Sequence, residues 1–145
     1  FDACLKDIEI TLRSIRESSN NKDLPLIVVG ESMGGAIALR AASLYPELMT
    51  AVISSVPAAE RFQEKRTDLK AALDFLKGPN RPSSVSASII NQASTDENLK
   101  TMWKCDPLSR FDLSPHELLQ FQRFMNENHE AAKNITVPVL MLQGS

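Results

Sequence analysis

The chain has 145 residues, of which 43% are hydrophobic and 23% are charged, as in an ordinary soluble globular domain with a single core. With 16 basic and 18 acidic residues the formal net charge is −2 and no basic stripe is present, so nucleic acid is not an expected partner. No apolar run approaches the roughly 20 residues that span a bilayer, and stable membrane insertion is not expected either.

The two cysteines, Cys4 and Cys105, are too few for a disulfide framework and lack the close spacing of a metal pair. They are compatible with a reducing compartment, and the lack of a visible targeting segment favours a cytoplasmic location. We expect neither a metal nor a cofactor. Nothing in the sequence indicates an oligomeric state.

The first 57 residues predict a helix, a strand, a helix and a strand, in that order. Apolar residues at spacings of three, four and three predict an amphipathic helix that ends near Ser18: Leu5, Ile8, Leu12 and Ile15. A continuous apolar run from Leu24 to Val29 predicts a strand buried on both faces, which is typical of a parallel sheet covered by helices. A helix from Met33 to Leu44 and a second strand from Thr50 to Ser55 follow.

The remaining residues predict a helical insertion and a third strand. From 58 to 134 no strand pattern is convincing; apolar residues from Phe62 to Leu76 predict one helix, and a turn-rich break covers 77–84. Ser114, Pro115 and Glu117 form a predicted capping box that opens a helix through about Glu130. The run "VPVLMLQG" predicts the third strand. We therefore expect an α/β fold with a partial core over 1–57, a helical cap over 58–134 and a return strand over 135–145.

The segment "GESMG", residues 30–34, fits the pattern G-x-S-x-G between the first strand and the second helix. A serine that exposes its hydroxyl at the end of a sheet must occupy a sharp, strained turn, and Gly30 and Gly34 are expected to relieve crowding there. Gly35 is expected to let the helix pack close to the sheet. The backbone N–H of Met33, at the helix N-terminus, would stabilise an oxyanion.

Three alternative roles for Ser32 have weaker support. The serine could act only as the N-cap of the following helix, because serine is a preferred capping residue. A phosphate-binding loop would need a lysine after the glycines, and a dinucleotide-binding loop would need the spacing G-x-G-x-x-G; neither is present.

With "VVGESMGG", "LYPELMTAVISSVPA" and "ITVPVLMLQGS", the chain resembles the α/β-hydrolase fold, and within it the group of monoacylglycerol lipases, lysophospholipases and serine aminopeptidase-like proteins. The resemblance implies a three-stranded part of a parallel sheet with flanking helices and an inserted cap. It implies that Ser32 is the nucleophile of an acyl-enzyme mechanism and that Met33 is an oxyanion donor. The implied substrate is a small ester or acyl lipid.

The resemblance also implies a catalytic acid shortly after the third strand and a histidine later still, both outside this chain. His116 and His129 fall in the insertion, where cap-structural or surface roles are expected, and Asp106 and Asp112 are expected to be turn and capping residues. These 145 residues therefore resemble a fragment that is expected to hydrolyse nothing alone, to expose an apolar sheet face and to aggregate.

Two further hypotheses stay open. The scaffold could bind a ligand without catalysis, although the intact Ser32 argues against this, or it could cleave peptides or amides, which pass through the same type of intermediate. Cap residues that could wall an acyl pocket, with ordinary core packing as the alternative, are Met102, Trp103, Phe121 and Phe124.

Overall fold

The computed structural model describes residues 1–18, 24–57, 78, 94–109 and 113–143. Within these ranges the elements in chain order are α1 (Asp2–Ser18), β1 (Ile27–Glu31), α2 (Met33–Leu44), a 3-10 helix (Pro46–Leu48), β2 (Ala51–Ser55), α3 (Glu97–Cys105), α4 (Pro115–Ala132) and β3 (Val139–Leu142). The helix predicted over Phe62–Leu76 lies outside the described residues, as does the turn predicted over 77–84 apart from Gly78. The chain divides into two compact units, residues 1–61 with 122–145 and residues 62–121.

The three strands form one parallel sheet in the order β1-β2-β3, which confirms the predicted sheet. Ile27 pairs with Ala51 at one end of the β1–β2 ladder and Glu31 with Ser55 at the other. Because every strand runs in the same direction, their carboxyl ends meet at a single edge, where open α/β sheets bind ligands.

Helix α2 packs on one face of the sheet through small side chains. Ala36, Ala38, Ala41 and Ala42 are buried, together with Val52 of β2. From α1, Leu5 and Leu12 join this core and Ile8 packs against it, whereas Ile15 of the same predicted stripe is exposed. Small residues on α2 allow the helix axis to approach the sheet closely, so the segment after β1 is held firmly against β2.

Hydrogen bonds from Arg16 connect the end of α1 to the loops that precede β1 and β2. Its guanidinium donates to the carbonyl oxygens of Leu24 (2.7 Å) and Leu48 (3.2 Å) and to the Thr50 hydroxyl (3.4 Å). Thr50 in turn accepts a hydrogen bond from the Leu26 N–H (3.0 Å) and donates its own N–H to the Leu26 carbonyl (2.7 Å). These bonds align the amino ends of β1 and β2.

The second face of the sheet is exposed, and the prediction that the first strand is buried on both faces is wrong. Val29 is 68% exposed and Leu140 is 52% exposed, and both lie at the level of Ile53 in the ladder. The helices described in this unit contribute their apolar side chains to the opposite face, where Val52 and Ser54 are fully buried. The expected exposure of an apolar sheet face is confirmed.

The first residues of α4 confirm the predicted capping box. The Ser114 N–H and hydroxyl donate to Glu117 Oε2 (2.8 and 2.9 Å), and the Glu117 N–H donates to Ser114 Oγ (3.3 Å). Pro115 occupies the first helical position, where its missing N–H leaves no hydrogen bond unmade. Helix α3, in contrast, was not predicted, although Asp96 caps it by accepting from the N–H groups of Asn98 and Leu99 (2.8 and 3.4 Å).

The last turns of α4, which belong to the first unit, pack against α2 and the N-terminus of the chain. Phe124 is buried and stacks on Phe1, with ring centroids 4.2 Å apart, while the Arg40 guanidinium lies 5.6 Å from the Phe124 centroid. Arg40 also pairs with Glu127 at 2.6 Å. The Asn128 side-chain amide donates to the Ala36 carbonyl (3.2 Å). Across the described residues, every helix is too short or too polar to cross a membrane.

Candidate nucleophile elbow

Ser32 lies between the last residue of β1 and the first residue of α2, at the carboxyl edge of the sheet. It is exposed, and its N–H donates to the Ser55 carbonyl oxygen of β2 (2.9 Å), which extends the β1–β2 ladder by one bond. Its own carbonyl accepts the first helical hydrogen bond from the Ala36 N–H (3.2 Å). The chain therefore passes from sheet to helix within a single residue.

The Ser32 backbone is strained. Its φ of 51° and ψ of −116° lie outside the regions that L-residues favour, and such strain costs about 1–3 kcal/mol. A serine that serves as an N-cap normally has an extended backbone and accepts a hydrogen bond from the first turn with its side chain. Ser32 makes no such bond. Ser32 occupies the N-cap position of α2, but side-chain capping does not account for its strained backbone.

Gly30 and Gly34, on either side of Ser32, differ in whether the turn leaves room for a Cβ. A Cβ on Gly30 would collide with the Gly34 carbonyl oxygen and would lie 2.8 Å from the Gly35 nitrogen, so the turn requires glycine at position 30. The expected role of Gly34 is wrong, because a Cβ there would meet no described atom within 4 Å. The crowding would be between a Cβ on residue 30 and the backbone of Gly34, and a Cβ on residue 34 would add nothing to it.

Gly35 confirms the expected close packing of helix on sheet. A Cβ at this position would lie 2.8 Å from the Ser54 hydroxyl and 3.2 Å from the Ser55 carbonyl oxygen. The Ser54 side chain is fully buried beneath this contact, and its hydroxyl has no hydrogen-bond partner among the described residues. The small residues at positions 35 and 54 together bring the first turn of α2 down onto β2.

Met33 begins α2, so its backbone N–H lies outside the hydrogen-bond ladder of the helix. The positive end of the helix dipole lies at the same place, which favours a negative charge near the first turn. The Met33 side chain is 48% exposed. An acyl carbonyl oxygen that approached Ser32 could be met by this N–H group.

The predicted pocket residues do not form one group. Met102 and Trp103 lie on α3 and Phe121 on α4, all within the second compact unit, whereas Phe124 lies in the first. Phe124 is 4% exposed and stacked on Phe1, which is the core packing that was the alternative to a pocket role. Phe124 is therefore a core residue, and a pocket role for the other three remains a prediction.

The two histidines and the nearby acids have local partners or surface positions. His116 Nε2 lies 2.9 Å from the side-chain amide of Gln120, one turn along α4, and His129 is exposed near the end of the helix. Asp106 ends α3 and accepts from the Leu108 N–H (2.9 Å) and the Ser109 hydroxyl (3.4 Å), as expected for a turn residue. Asp112 lies outside the described residues.

Charged pairs perturb pKa values on the surfaces of two helices. On α1, hydrogen bonds from Lys6 and Arg13 lower the pKa of Glu9, and on α3 the hydrogen bond from Lys100 lowers the pKa of Glu97. These are ion pairs one helical turn apart, and they point to no catalytic group. In the described ranges, no three of the histidines, cysteines and acidic residues come together as a candidate metal site.

The backbone conformation of Val56, next to the elbow, could not be predicted from the sequence. Val56, the residue after β2, has a φ of 41°, although a β-branched side chain makes this conformation costly. Valine is a strand residue by propensity, and a sequence pattern would never place it in a left-handed turn.

A parallel sheet, the helices that flank it and a strained serine between strand and helix define a protein of the α/β-hydrolase fold. The chain belongs to the family described as "Serine aminopeptidase, S33", whose model matches residues 1–145. A search of curated proteins found no match to this chain.

Solved structures show the same fold. The monoacylglycerol lipase of Paleococcus ferrophilus is similar with a TM-score of 0.74 and 21% identity over 99% of this chain and 53% of the lipase. A thermostable carboxyl esterase from Bacillus coagulans, solved in complex with glycerol, is similar with a TM-score of 0.55 and 14% identity over 97% of this chain and 62% of the esterase. This chain thus spans about half the length of the lipase.

Proposed function

We propose that this chain carries the nucleophile of a serine hydrolase that cleaves a carboxylic ester, with an acyl-glycerol or a lysophospholipid as the substrate class. The observation that supports this most directly is Ser32 itself: an exposed serine with a φ of 51°, at the end of a parallel strand, whose side chain caps nothing. Two structures similar to this chain are a lipase and an esterase, which favours ester substrates.

In this proposal the Ser32 hydroxyl attacks the acyl carbon and forms a tetrahedral intermediate. The Met33 N–H donates a hydrogen bond to the oxyanion; in other hydrolases, removal of one such donor raises the barrier by about 2.7–4 kcal/mol. The intermediate then expels the alcohol and leaves an acyl-enzyme, which water hydrolyses. A base must accept the Ser32 proton and an acid must orient that base, and we assign neither role to His116 or His129.

A fluorophosphonate probe tests the proposal in the full-length protein, because the probe reacts with a serine that a base has activated. We expect the wild type to be labelled and Ser32→Ala to lose labelling completely. Ser43→Ala is the matched control, because Ser43 lies on the same helix and its hydroxyl donates to the Arg40 carbonyl within that helix (2.8 Å). Labelling that survives Ser32→Ala would reject the assignment.

Amide hydrolysis is a second candidate, since the family is described as a serine aminopeptidase. Ester and amide cleavage share the tetrahedral intermediate, so the elbow does not separate them. A substrate panel of monoacylglycerols, lysophospholipids and aminoacyl anilides would do so. Fluorophosphonate inertness together with saturable acyl-lipid binding would instead favour a non-catalytic binding scaffold.

A further inference from the structure

Two described residues other than glycine have a positive φ: Ser32, at 51°, and Val56, at 41°. They are far apart in sequence but adjacent at the carboxyl edge of the sheet, because the Ser32 N–H donates to the carbonyl of Ser55, the residue before Val56. Strained residues persist only where the surrounding structure determines their backbone, and they concentrate at functional sites.

The peptide group between Ser55 and Val56 is bonded on both sides. Its carbonyl oxygen accepts from the Ser32 N–H (2.9 Å), and its N–H donates to the Leu142 carbonyl oxygen of β3 (2.7 Å). This single peptide therefore joins the ends of all three strands. Its orientation determines where the Ser32 nitrogen is held.

Burial of the Val56 side chain does not explain the strain. The side chain is 51% exposed, so little apolar area is removed from water to offset a left-handed valine backbone. The described interactions next to the Val56 backbone are the two hydrogen bonds of the 55–56 peptide and the close approach of Pro57 to the first turn of α2, where a Cβ on Gly35 would lie 3.2 Å from the Pro57 α-carbon.

We propose that the Ser55–Val56 peptide, held in place by the left-handed Val56 backbone, is a positioning element that fixes Ser32 for attack. This inference rests on the proposed function of Ser32. It assigns no chemical step to Val56 and requires only its backbone.

The first experiment compares the thermal stability of Val56→Gly with that of Val139→Gly. The second substitution removes the same side chain from a 40% exposed position within β3. Glycine adopts a positive φ without steric cost but weakens a strand. We expect the thermal midpoint of Val56→Gly to equal or exceed that of the wild type and the midpoint of Val139→Gly to fall by several degrees. A drop of the same size in both variants would overturn the proposal, because it would show that residue 56 is not held at positive φ.

The second experiment measures Ser32 labelling, kcat and KM for Val56→Gly and Val56→Pro in the full-length protein. Glycine preserves the backbone, so labelling of Ser32 and kcat should stay within about threefold of the wild type. Proline removes the N–H and imposes a negative φ, so kcat should fall at least about tenfold with little change in KM, since a displacement of about 1 Å can cost 100-fold in rate. Wild-type kcat in a folded Val56→Pro variant, or loss of labelling in a stable Val56→Gly variant, would overturn the proposal.

Amide hydrogen exchange at the Ser32 N–H separates this proposal from the proposed function. If the wild-type protein is never labelled, the proposed function fails, yet exchange at Ser32 should still accelerate in Val56→Pro and remain slow in Val56→Gly. Exchange at Ser32 that is equally slow in both variants would overturn the positioning role. If Val56→Pro does not fold, the stability and labelling of Val56→Gly decide the question.

Discussion

A backbone hydrogen bond and the absence of a Cβ at two glycines determine the geometry around Ser32. The N–H of Ser32 donates to the Ser55 carbonyl, a Cβ on Gly30 would collide with the Gly34 carbonyl, and a Cβ on Gly35 would lie 2.8 Å from the Ser54 hydroxyl. None of these contacts involves a large side chain. The turn is therefore specified mainly by which positions lack a Cβ, so alanine substitutions should distinguish the glycines.

We expect Gly30→Ala to lower the free energy of unfolding by about 1–3 kcal/mol, because its Cβ would collide with backbone atoms that cannot move without displacing α2. Gly34→Ala is the matched control; a Cβ there meets no described atom within 4 Å, and alanine favours a helix over glycine by up to about 1 kcal/mol. Urea unfolding of both variants measures the difference. Equal destabilisation by the two substitutions would contradict the assignment of the crowding to Gly30.

At the scale of elements, α4 is attached to α2 by a small mixed cluster. The Arg40 guanidinium pairs with Glu127 and lies over the Phe124 ring, which itself stacks on Phe1. The side chain of Arg40 is 16% exposed and that of Glu127 is 48% exposed, so solvent screens the ion pair in part. The cation–π contact between the Arg40 guanidinium and the Phe124 ring adds to the stabilisation from this ion pair.

Arg40→Ala should therefore destabilise the protein by about 1–2 kcal/mol, of which at most about 1 kcal/mol appears as coupling to Glu127 in a double-mutant cycle. The pair of Arg123 with the same Glu127 is the control, because the Arg123 side chain is 83% exposed and touches the carboxylate from the same helix. Its coupling should be close to zero. A larger coupling for Arg123 than for Arg40 would show that burial does not control the strength of this cluster.

Several elements could be predicted because their signals are local. The apolar run before Gly30 and the small residues after Ser32 predict a strand, a turn and a helix, and the spacing of Ser114 and Glu117 predicts a capping box that the structure confirms. Helix α3 carried a usable signal too, in Asp96 followed by Leu99, Met102 and Trp103 at helical spacing. The left-handed Val56 and the Arg40 cluster could not be predicted, because both depend on strands and helices distant in sequence.

At the scale of the whole molecule, burial on the two sides of the sheet is unequal. The side chains of Val52 and Ser54 are completely covered, while Ile27, Val29, Leu140 and Leu142 on the other face are 48–68% exposed. Contiguous apolar area of this kind is a common cause of association. β1 and β3 are the edge strands of the described sheet, and edge strands can pair with another chain.

We expect residues 1–145 expressed alone to bind a hydrophobic dye, to self-associate and to show no ester turnover. Leu140→Lys should reduce light scattering, because it places a charge in the middle of the exposed face. Ser14→Lys adds the same charge at an exposed position on α1 and should leave scattering unchanged. A soluble monomer with rapid ester turnover would contradict this expectation.

The register of the sheet has a kinetic consequence. Ile27 and Ala51 are separated by α2 and one turn of 3-10 helix, whereas Val52 and Val139 are separated by more than half of the chain. Because loop-closure entropy grows with the length of the loop, β1, α2 and β2 can associate early in folding and β3 docks late. The hydrogen bond from Ser32 to Ser55 can therefore form before the hydrogen bond from Val56 to Leu142.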